Sequence, residues 1–255
     1  MPATFGDVYQ KLCERYTDPR ERGRQFEPLV AQVLRTDKQY TDRFAEVWRW
    51  PEWPGRRSGD IGVDIVARRH DGGLTAIQCK CYDPASTLYE QDLATFLANT
   101  NAEFDERVIV STTSNWSRNL LALISNQRPP VQRVNLFGLE ETAIDWDAYL
   151  EDEAAPLKPR ARKEVRPHQR QALGDVLSGL EEHDRGKMIM ACGTGKTFTA
   201  LCIAEEIAGP GGHVLFAAPS ISLVAQALRE WAADSRTPIR AFAVCSDQKV
   251  GAQGR

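Results

Sequence analysis

The chain has 255 residues, of which 42% are hydrophobic and 26% charged, and its net charge is −3. This length suits one large domain or two modest ones, and the composition is that of an ordinary globular protein. The charge balance excludes a strongly basic protein, so any surface for an anionic partner has to be local. We expect no membrane span, because no apolar run approaches about 20 residues. The six scattered cysteines predict reduced thiols in a cytoplasmic protein.

The first 150 residues predict a mixed α/β domain. Residues 24–35 repeat apolar side chains at helical spacing, with Pro28 expected in the first turn, where its missing N–H costs little. Strands are expected at 44–50, 61–69 and 74–82, the last two joined by a hairpin at Asp71-Gly72-Gly73. The remaining segments predict helices at 88–100, 119–125 and 139–150, and strands at 108–112 and 131–137.

The last third of the sequence predicts a second α/β domain. Residues 151–165 are charged, contain two prolines and lack periodicity, so they predict a linker between domains 1–150 and 166–255. Helices and strands then alternate, which is typical of a parallel sheet covered by helices. The expected helices are 168–180, 196–207 and 223–233, and the expected strands are 187–191, 213–217 and 239–244.

Two short polar segments carry the candidate chemistry of the first domain. Asp64 ends the run GDIGVD, and Gln78 and Lys80 belong to the run IQCK. Phosphodiester hydrolysis needs a divalent cation to polarise the phosphate and activate water, and carboxylate and amide oxygens suit Mg²⁺. A lysine adds positive charge at the transition state. These residues predict a metal-dependent phosphodiesterase, although Asp with Gln-x-Lys alone also fits a hairpin with polar surface side chains.

The spacing of the two segments sets a condition on the hairpin. Gln78 and Lys80 share a face of their strand because side chains alternate. If the loop is the three residues 71–73, Asp64 lies opposite Lys80 and is the diagonal neighbour of Gln78. A two-residue turn would place Asp64 on the wrong face. We therefore predict a three-residue loop, or a bulge with the same effect.

These segments resemble the Mrr-like branch of the PD-(D/E)xK nucleases, in which G-D-x-G-x-D is followed by Q-x-K. The resemblance implies that Asp64 binds the metal and that Lys80 is the catalytic lysine. Gln78 stands where most of that superfamily has Asp or Glu, so another carboxylate should support the metal. Glu27 matches the helix acid of this branch and is the expected third ligand, and Asp60 is a more distant candidate.

A second constellation lies in the C-terminal third. The run Met190-Ala-Cys-Gly-Thr-Gly-Lys-Thr197 follows an expected strand and opens an expected helix, so its backbone N–H groups should bind a phosphate. Lys196 would reach the β- and γ-phosphates of ATP and Thr197 the Mg²⁺. Met190 replaces the first glycine of the usual motif. The predicted nucleotide-binding residues are Gln169, Gly193, Thr194, Gly195, Lys196 and Thr197.

This second part resembles superfamily 2 helicases and predicts an incomplete RecA-like domain. By that resemblance Gln169 reads the adenine base, and Ser220 in the run AAPS lies in the segment that contacts the DNA backbone. The given sequence ends at Arg255, before an acidic Walker B motif or a second lobe with an arginine finger. We therefore expect weak nucleotide binding at most and no DNA-stimulated ATP hydrolysis by this chain.

Longer segments extend the resemblance to the N-terminal region of type ISP restriction-modification enzymes. That family implies a nuclease joined to an ATP-driven motor, a methyltransferase using S-adenosylmethionine, and a target-recognition domain. Its expected partners are double-stranded DNA, ATP, and a second nuclease copy for double-strand cleavage. The matching runs are IQCKCYDP (77–84), VIVSTTSNW (108–116), IDW (144–146) and RGKMIMACGTGKTFT (185–199).

Three alternatives remain open at this point. A helicase–nuclease of DNA repair or antiphage defence would share the same two N-terminal modules. A non-catalytic DNA-binding fragment would keep the fold without cutting, and a pure nucleotide-binding module would use only the second part. Arg56 and Arg57 are candidate phosphate contacts. The basic run 158–163 is expected to be solvated, and the tryptophans are expected to pack in the core.

Overall fold

The computed structural model describes residues 3–56, 59–237, 239 and 241. The chain divides into two compact units, with the boundary between Arg160 and Ala161. No helix of the described part is long and apolar enough to cross a membrane.

The first unit contains seven helices and seven strands among its described residues. The helices are α1 (Phe5–Arg15), α2 (Pro19–Thr36), α3 (Lys38–Thr41), α4 (Ala94–Asn99), α5 (Arg118–Ser125), α6 (Leu136–Glu140) and α7 (Trp146–Glu151). The strands are β1 (Phe44–Arg49), β2 (Ile65–Arg69), β3 (Leu74–Lys80), β4 (Thr87–Leu88), β5 (Glu106–Ser111), β6 (Asn115–Trp116) and β7 (Val131–Val134). Short 3₁₀ turns cover Trp50–Glu52 and Glu90–Asp92.

Five strands form one mixed sheet in the order β1-β2-β3-β5-β7. Strand β2 is antiparallel to both β1 and β3, whereas β3, β5 and β7 run parallel. Strands β4 and β6 form a separate parallel pair. The carboxyl ends of β3 and β5 therefore lie at one edge of the sheet, and Lys80 is paired with Ser111 there.

An apolar cluster covers each face of the sheet. On one face α1 and α2 pack on alternate residues of the central strands, including Ile65, Ile77 and Val108. On the other face α4 and α5 pack on the intervening residues, including Val66, Ala76 and Ile109. The alternation follows from the two-residue repeat of a strand. It assigns each face of β3 to a different set of helices.

Helix α2 is longer than the sequence pattern predicted, and the predicted place of Pro28 is wrong. The helix begins at Pro19, after Asp18, whose side chain accepts from the Arg20 N–H at 3.0 Å. Proline at the first helical position and an aspartate cap are the usual helix start. Pro28 lies inside the helix. The N–H bond missing at Pro28 is offset by the buried face that includes Phe26, Leu29 and Val30.

Several other elements differ from the sequence predictions. Helix α1 was not predicted, although the Thr4 and Asp7 capping box marks its start. The segment 88–100 forms a 3₁₀ turn followed by the shorter α4. The expected closing helix 139–150 divides into α6 and α7, because Ile144 leaves the helical path and pairs with Pro159.

The second unit is helical in its described residues. Helices α8 (Pro167–Glu182), α9 (Lys196–Ala208) and α10 (Ile221–Asp234) pack around Phe198, Leu201 and Cys202. The expected strands 187–191 and 213–217 are not formed, and 239–244 lies largely outside the described residues. Ile189 is 90% exposed and Leu215 is 96% exposed. A strand needs a neighbour to satisfy its backbone groups, and no described residue pairs with these segments.

The segment predicted as a linker is divided between the two units, and each part makes contacts within its own unit. Leu157 is buried in the first cluster, and the Arg160 N–H donates to the Ala143 carbonyl at 2.7 Å. Arg162 pairs with Glu205 at 2.7 Å, and Lys163 with the buried Asp234 at 2.9 Å. Residues 157–160 are therefore held within the first unit, and residues 162–163 within the second.

Asp37 is the polar side chain on which the α2–α3 corner depends. It is 3% exposed and accepts from the N–H groups of Gln39 at 2.9 Å and Ala143 at 2.5 Å. We expect Asp37→Ala to lower the free energy of unfolding by about 2–4 kcal/mol, because a buried N–H group and a partly buried one lose their acceptor. Asp18→Ala, at an exposed cap, should cost about 1 kcal/mol. Urea unfolding measures both, and equal losses would contradict this account.

Candidate functional site

Strands β2 and β3 separate at Asp64, and this separation creates the candidate site. The register pairs Ile65 with Ile77 and Arg68 with Leu74. The Arg69 N–H bonds to the Gly73 carbonyl at 2.8 Å, so the loop is three residues long, 70–72. The predicted loop length is confirmed, but the predicted register is wrong. The pairing ends at Ile65, and the Asp64 N–H still donates to the Ile77 carbonyl, so Asp64 lies beside Ile77 and not opposite Lys80.

The side chain of Asp64 takes the place of a backbone acceptor. Its Oδ2 accepts from the Cys79 N–H at 2.6 Å. Its own N–H donates to the Ile77 carbonyl at 3.0 Å, and its carbonyl accepts from the Trp50 N–H at 2.7 Å. Because N–H groups of a strand point within the plane of the sheet, the carboxylate lies at the edge of β3 between Gln78 and Lys80. Three bonds thus fix the position of this carboxylate.

The glycine-rich run before Asp64 packs closely against helix α4. Gly62 has φ +80°, and a Cβ there would lie 2.9 Å from the Phe96 backbone nitrogen in α4. Asp60 Oδ1 accepts from the Gly62 N–H at 2.7 Å, which closes the turn. The Trp50 indole donates to the Gly59 carbonyl at 3.1 Å. Asp60 is exposed and acts as a turn residue, so its place as a more distant ligand candidate stays a prediction.

Gln78 is the unusual member of the set. Its side chain is 6% exposed, and its Oε1 atom is buried without a hydrogen-bond partner among the described residues. A buried amide oxygen without a partner is unfavourable by about 1–3 kcal/mol, so such atoms normally have a ligand or a bond. The alternation along β3 places Gln78 and Lys80 on the same face.

Glu27 belongs to α2 and lies close enough to Asp64 and Lys80 for their charges to act on its pKa or theirs. Burial raises the pKa of Glu27, and the positive charge of Arg49 opposes this rise. Burial also raises the pKa of Asp64, from its ordinary value of 3.8 to about 7. The Cys79 N–H lowers the Asp64 pKa, and the nearby Glu27 charge raises it. The two carboxylates are close enough to repel each other, and Lys80 lowers the pKa of both.

These residues fit a magnesium ion by the chemistry of their donors. No group of three or more His, Cys, Asp or Glu side chains in the described part is arranged to hold a metal. Mg²⁺ commonly takes one or two carboxylates and keeps several waters, so a third acidic ligand is not required. The partnerless Oε1 of Gln78 and the oriented carboxylate of Asp64 supply two oxygen donors, and Glu27 is the further acid nearby.

The loops behind Lys80 are held by residues that the sequence reasoning did not single out. Thr112 is fully buried, and its hydroxyl accepts from the Tyr82 N–H at 2.8 Å and donates to the Tyr82 carbonyl at 2.5 Å. The Thr113 hydroxyl donates to the Pro84 carbonyl at 3.1 Å. Two adjacent threonines directly after a buried strand are the signal that could have identified them. They fix the chain that leaves the carboxyl end of β3, after Lys80.

The predicted nucleotide loop opens α9 in the second unit. Gly193 and Gly195 have φ values of +77° and +81°, which suit glycine. The Lys196 amine donates to the Ala191 carbonyl at 3.1 Å. The amide of Gln169 is 4% exposed and donates to the Thr194 carbonyl at 3.1 Å. The predicted residues therefore lie together around one loop, whereas the reading of adenine by Gln169 stays a prediction.

The remaining residues considered in the sequence are the tryptophans, two arginines and the cysteines. Trp50, Trp53 and Trp146 are buried, as expected for core residues, and Trp116 is half-buried. Arg56 lies 5.9 Å from the Trp50 ring centroid, and Arg57 lies outside the described residues. All five described cysteines are free thiols.

Two family matches cover most of the chain. Residues 35–155 match a family described as "Restriction endonuclease", of the Mrr catalytic type. Residues 162–248 match a family described as "Type III restriction enzyme, res subunit". Comparison of the sequence with curated proteins gives no significant match.

Solved structures give a third finding. The chain is similar to the "ATP-dependent Type ISP restriction-modification enzyme LlaBIII bound to DNA", with 31% identity and a TM-score of 0.76. The match covers 89% of this chain and 15% of that one. MspJI, a restriction endonuclease in complex with a 27-mer oligonucleotide, overlaps at 22% identity and TM-score 0.37, over 52% of this chain and 30% of that one. The "DNA modification-dependent restriction endonuclease AspBHI" overlaps at 17% identity and a TM-score of 0.37. The overlap covers 55% of this chain and 35% of that one.

The raised pKa of Asp64 predicts a pH-dependent stability. The folded protein keeps a proton that the unfolded chain releases near pH 4, so stability falls as pH rises from about 4 to about 7. Without divalent ions, Asp64→Asn should raise the free energy of unfolding at pH 8 by about 2–4 kcal/mol, at about 1.4 kcal/mol per pKa unit. The gain should be much smaller at pH 5. Urea unfolding at the two pH values tests this, with the exposed Asp175→Asn as control, and an equal gain at both would contradict it.

Proposed function

We propose that the first domain of this chain, which matches a restriction endonuclease family of the Mrr type, is a Mg²⁺-dependent DNA endonuclease. The helicase-like fragment that follows it would make the chain the N-terminal part of a type ISP restriction-modification enzyme. The observation that carries this proposal is the buried Gln78 Oε1, which has no hydrogen-bond partner among the described residues, on the strand whose Cys79 N–H orients the Asp64 carboxylate. Only a small part of the related enzyme is represented by this chain, so the activity of a whole protein is likewise a proposal.

In the proposed reaction each residue has one task. Asp64, Gln78 and Glu27 would hold Mg²⁺, which supplies polarisation of the phosphate and activation of water. Asp64 is oriented by the Cys79 N–H, so little reorganisation is needed to present its free oxygen. Lys80, on the same face as Gln78, places a positive charge where the phosphate becomes more negative. Double-stranded DNA is the proposed substrate, and cleavage of both strands would use a second nuclease copy.

The second unit is proposed to bind ATP and, in a full-length enzyme, to couple its hydrolysis to movement along DNA. This is supported by the joint placement of Gln169, Thr194 and Lys196 around one loop at the start of α9. The Lys196 amine would exchange its bond to Ala191 for the phosphates. We also propose that the protein is cytoplasmic, because ATP and DNA are both found there.

A plasmid assay tests the nuclease proposal. We expect the protein to nick or cut supercoiled plasmid with Mg²⁺ and not with EDTA. Asp64→Ala and Lys80→Ala should each lose at least about 100-fold in rate, since each removes a charge that acts in the transition state. The exposed Asp175→Ala and Lys187→Ala are the matched controls. Cutting by Asp64→Ala at the rate of the parent would overturn the proposal.

Gln78 allows a sharper test of the metal site. Gln78→Glu places a charged ligand of nearly the same shape at the buried position, so the Mg²⁺ concentration for half-maximal cleavage should fall at pH 8. Gln78→Leu removes the oxygen and should raise this concentration or abolish cleavage. The plasmid assay is repeated over a range of Mg²⁺ concentrations. Unchanged Mg²⁺ dependence in both variants would show that Gln78 does not bind the ion.

Nucleotide binding is tested separately. Titration with a fluorescent ATP analogue should show binding that Lys196→Ala abolishes and that Lys187→Ala leaves unchanged. Lys196 opens α9 at the phosphate loop, whereas Lys187 is an exposed residue outside it. Equal affinity of all three proteins would contradict the proposed ATP site.

A further inference from the structure

Arg49, which no sequence motif identified, lies at the rim of the proposed nuclease site. It ends β1 and is paired with Ile65, the residue after Asp64. Val47, two residues earlier on β1, packs in the cluster beneath α2. Because alternate residues of a strand share a face, Arg49 lies on the face of the sheet that α2 covers. Glu27 belongs to α2. The Trp50 N–H, next in the chain, bonds to the Asp64 carbonyl at 2.7 Å.

The guanidinium of Arg49 is fixed in position yet accessible. Its Nε donates to Glu52 Oε1 at 2.7 Å, and its Nη2 lies 2.6 Å from the same oxygen. Glu52 is also bonded to Arg35, whose Nη2 donates to the Val47 carbonyl at 2.8 Å. The Arg49 side chain is 44% exposed. Two arginines and one glutamate thus form a chain of ion pairs along the α2–β1 seam.

This arrangement leaves part of the guanidinium for a ligand. Glu52 occupies the edge formed by Nε and Nη2, and in the described part of the chain no bond takes the N–H groups of Nη1. An exposed ion pair adds little to stability, so support of the fold is a weak reason for the placement. The positive charge also acts on Glu27, since among nearby charges Arg49 has the largest lowering effect on the Glu27 pKa.

We propose that Arg49 binds a phosphate of the DNA backbone next to the phosphodiester that is cut, and that Glu52 holds the guanidinium in the orientation for this contact. The planar fork of arginine suits phosphate oxygens, and a fixed fork loses little freedom on binding. The inference rests on the proposed nuclease function. It concerns the binding of substrate, however, and does not require metal or cleavage.

The test is DNA binding in EDTA, where no cleavage takes place. A fluorescein-labelled duplex is titrated with the protein at several NaCl concentrations, and the logarithm of the affinity is plotted against the logarithm of salt. Each phosphate contact contributes about 0.9 to this slope. Arg49→Gln should bind severalfold more weakly with a slope smaller by about 0.9. Arg49→Lys should keep the slope but bind more weakly than the parent, because a point charge replaces the fork.

Arg15→Gln is the matched control, because Arg15 is similarly exposed and paired but lies at the end of α1 with Glu153. It should leave affinity and slope unchanged. An unchanged slope in Arg49→Gln, or an equal decrease in Arg15→Gln, would overturn the inference. If Arg49→Gln unfolds at a lower temperature than the parent, the Arg49→Lys variant is used instead. DNA affinity of Arg49→Lys equal to that of the parent would also overturn the inference. Failure of plasmid cutting with an intact Arg49 effect would refute the nuclease proposal alone.

Discussion

The bond from the Cys79 N–H to the Asp64 carboxylate determines how the first domain is organised at its candidate site. It replaces a carbonyl of the sheet ladder with a charged side chain, so β2 leaves β3 at that residue. The bond is made at 2.6 Å in a buried position, and burial raises the Asp64 pKa to about 7. A buried carboxylate gains from a cation, and the Gln78 Oε1 on the neighbouring strand has no hydrogen-bond partner among the described residues.

The surrounding structure supports this one contact from both faces of the sheet. Gly62 allows the chain to pass against Phe96 of α4 before it reaches Asp64. Helix α2 brings Glu27 from the opposite side, and β1 ends with Arg49 at the same place. Both halves of the mixed sheet contribute to the candidate site. The antiparallel half positions Asp64 next to β3. The parallel half holds the chain after Lys80 through the bond from the Tyr82 N–H to the Thr112 hydroxyl. Charges from three elements therefore meet where the sheet opens.

The sequence was sufficient for the fold class, for most of the helices and strands of the first domain, and for the three-residue hairpin loop. It could not determine the register, because sliding the pairing by two residues keeps every side chain on the same face. The buried face of α2 overrode the unfavourable Pro28. No local sequence pattern points to Arg49, because its position next to Asp64 comes from its pairing with Ile65 in the sheet. In the second unit, periodicity predicted strands at 187–191 and 213–217 that lack a described neighbour.

The central claim is that Gln78 and Asp64 bind one divalent ion together. A crystal structure of the protein grown with Mg²⁺ or Mn²⁺ tests it most directly. We expect a single ion with the Gln78 Oε1 and an Asp64 carboxylate oxygen both at about 2.1 Å, and waters completing an octahedron. An ion bound elsewhere, or a Gln78 amide that remains bonded only to protein in the presence of saturating metal, would contradict the account.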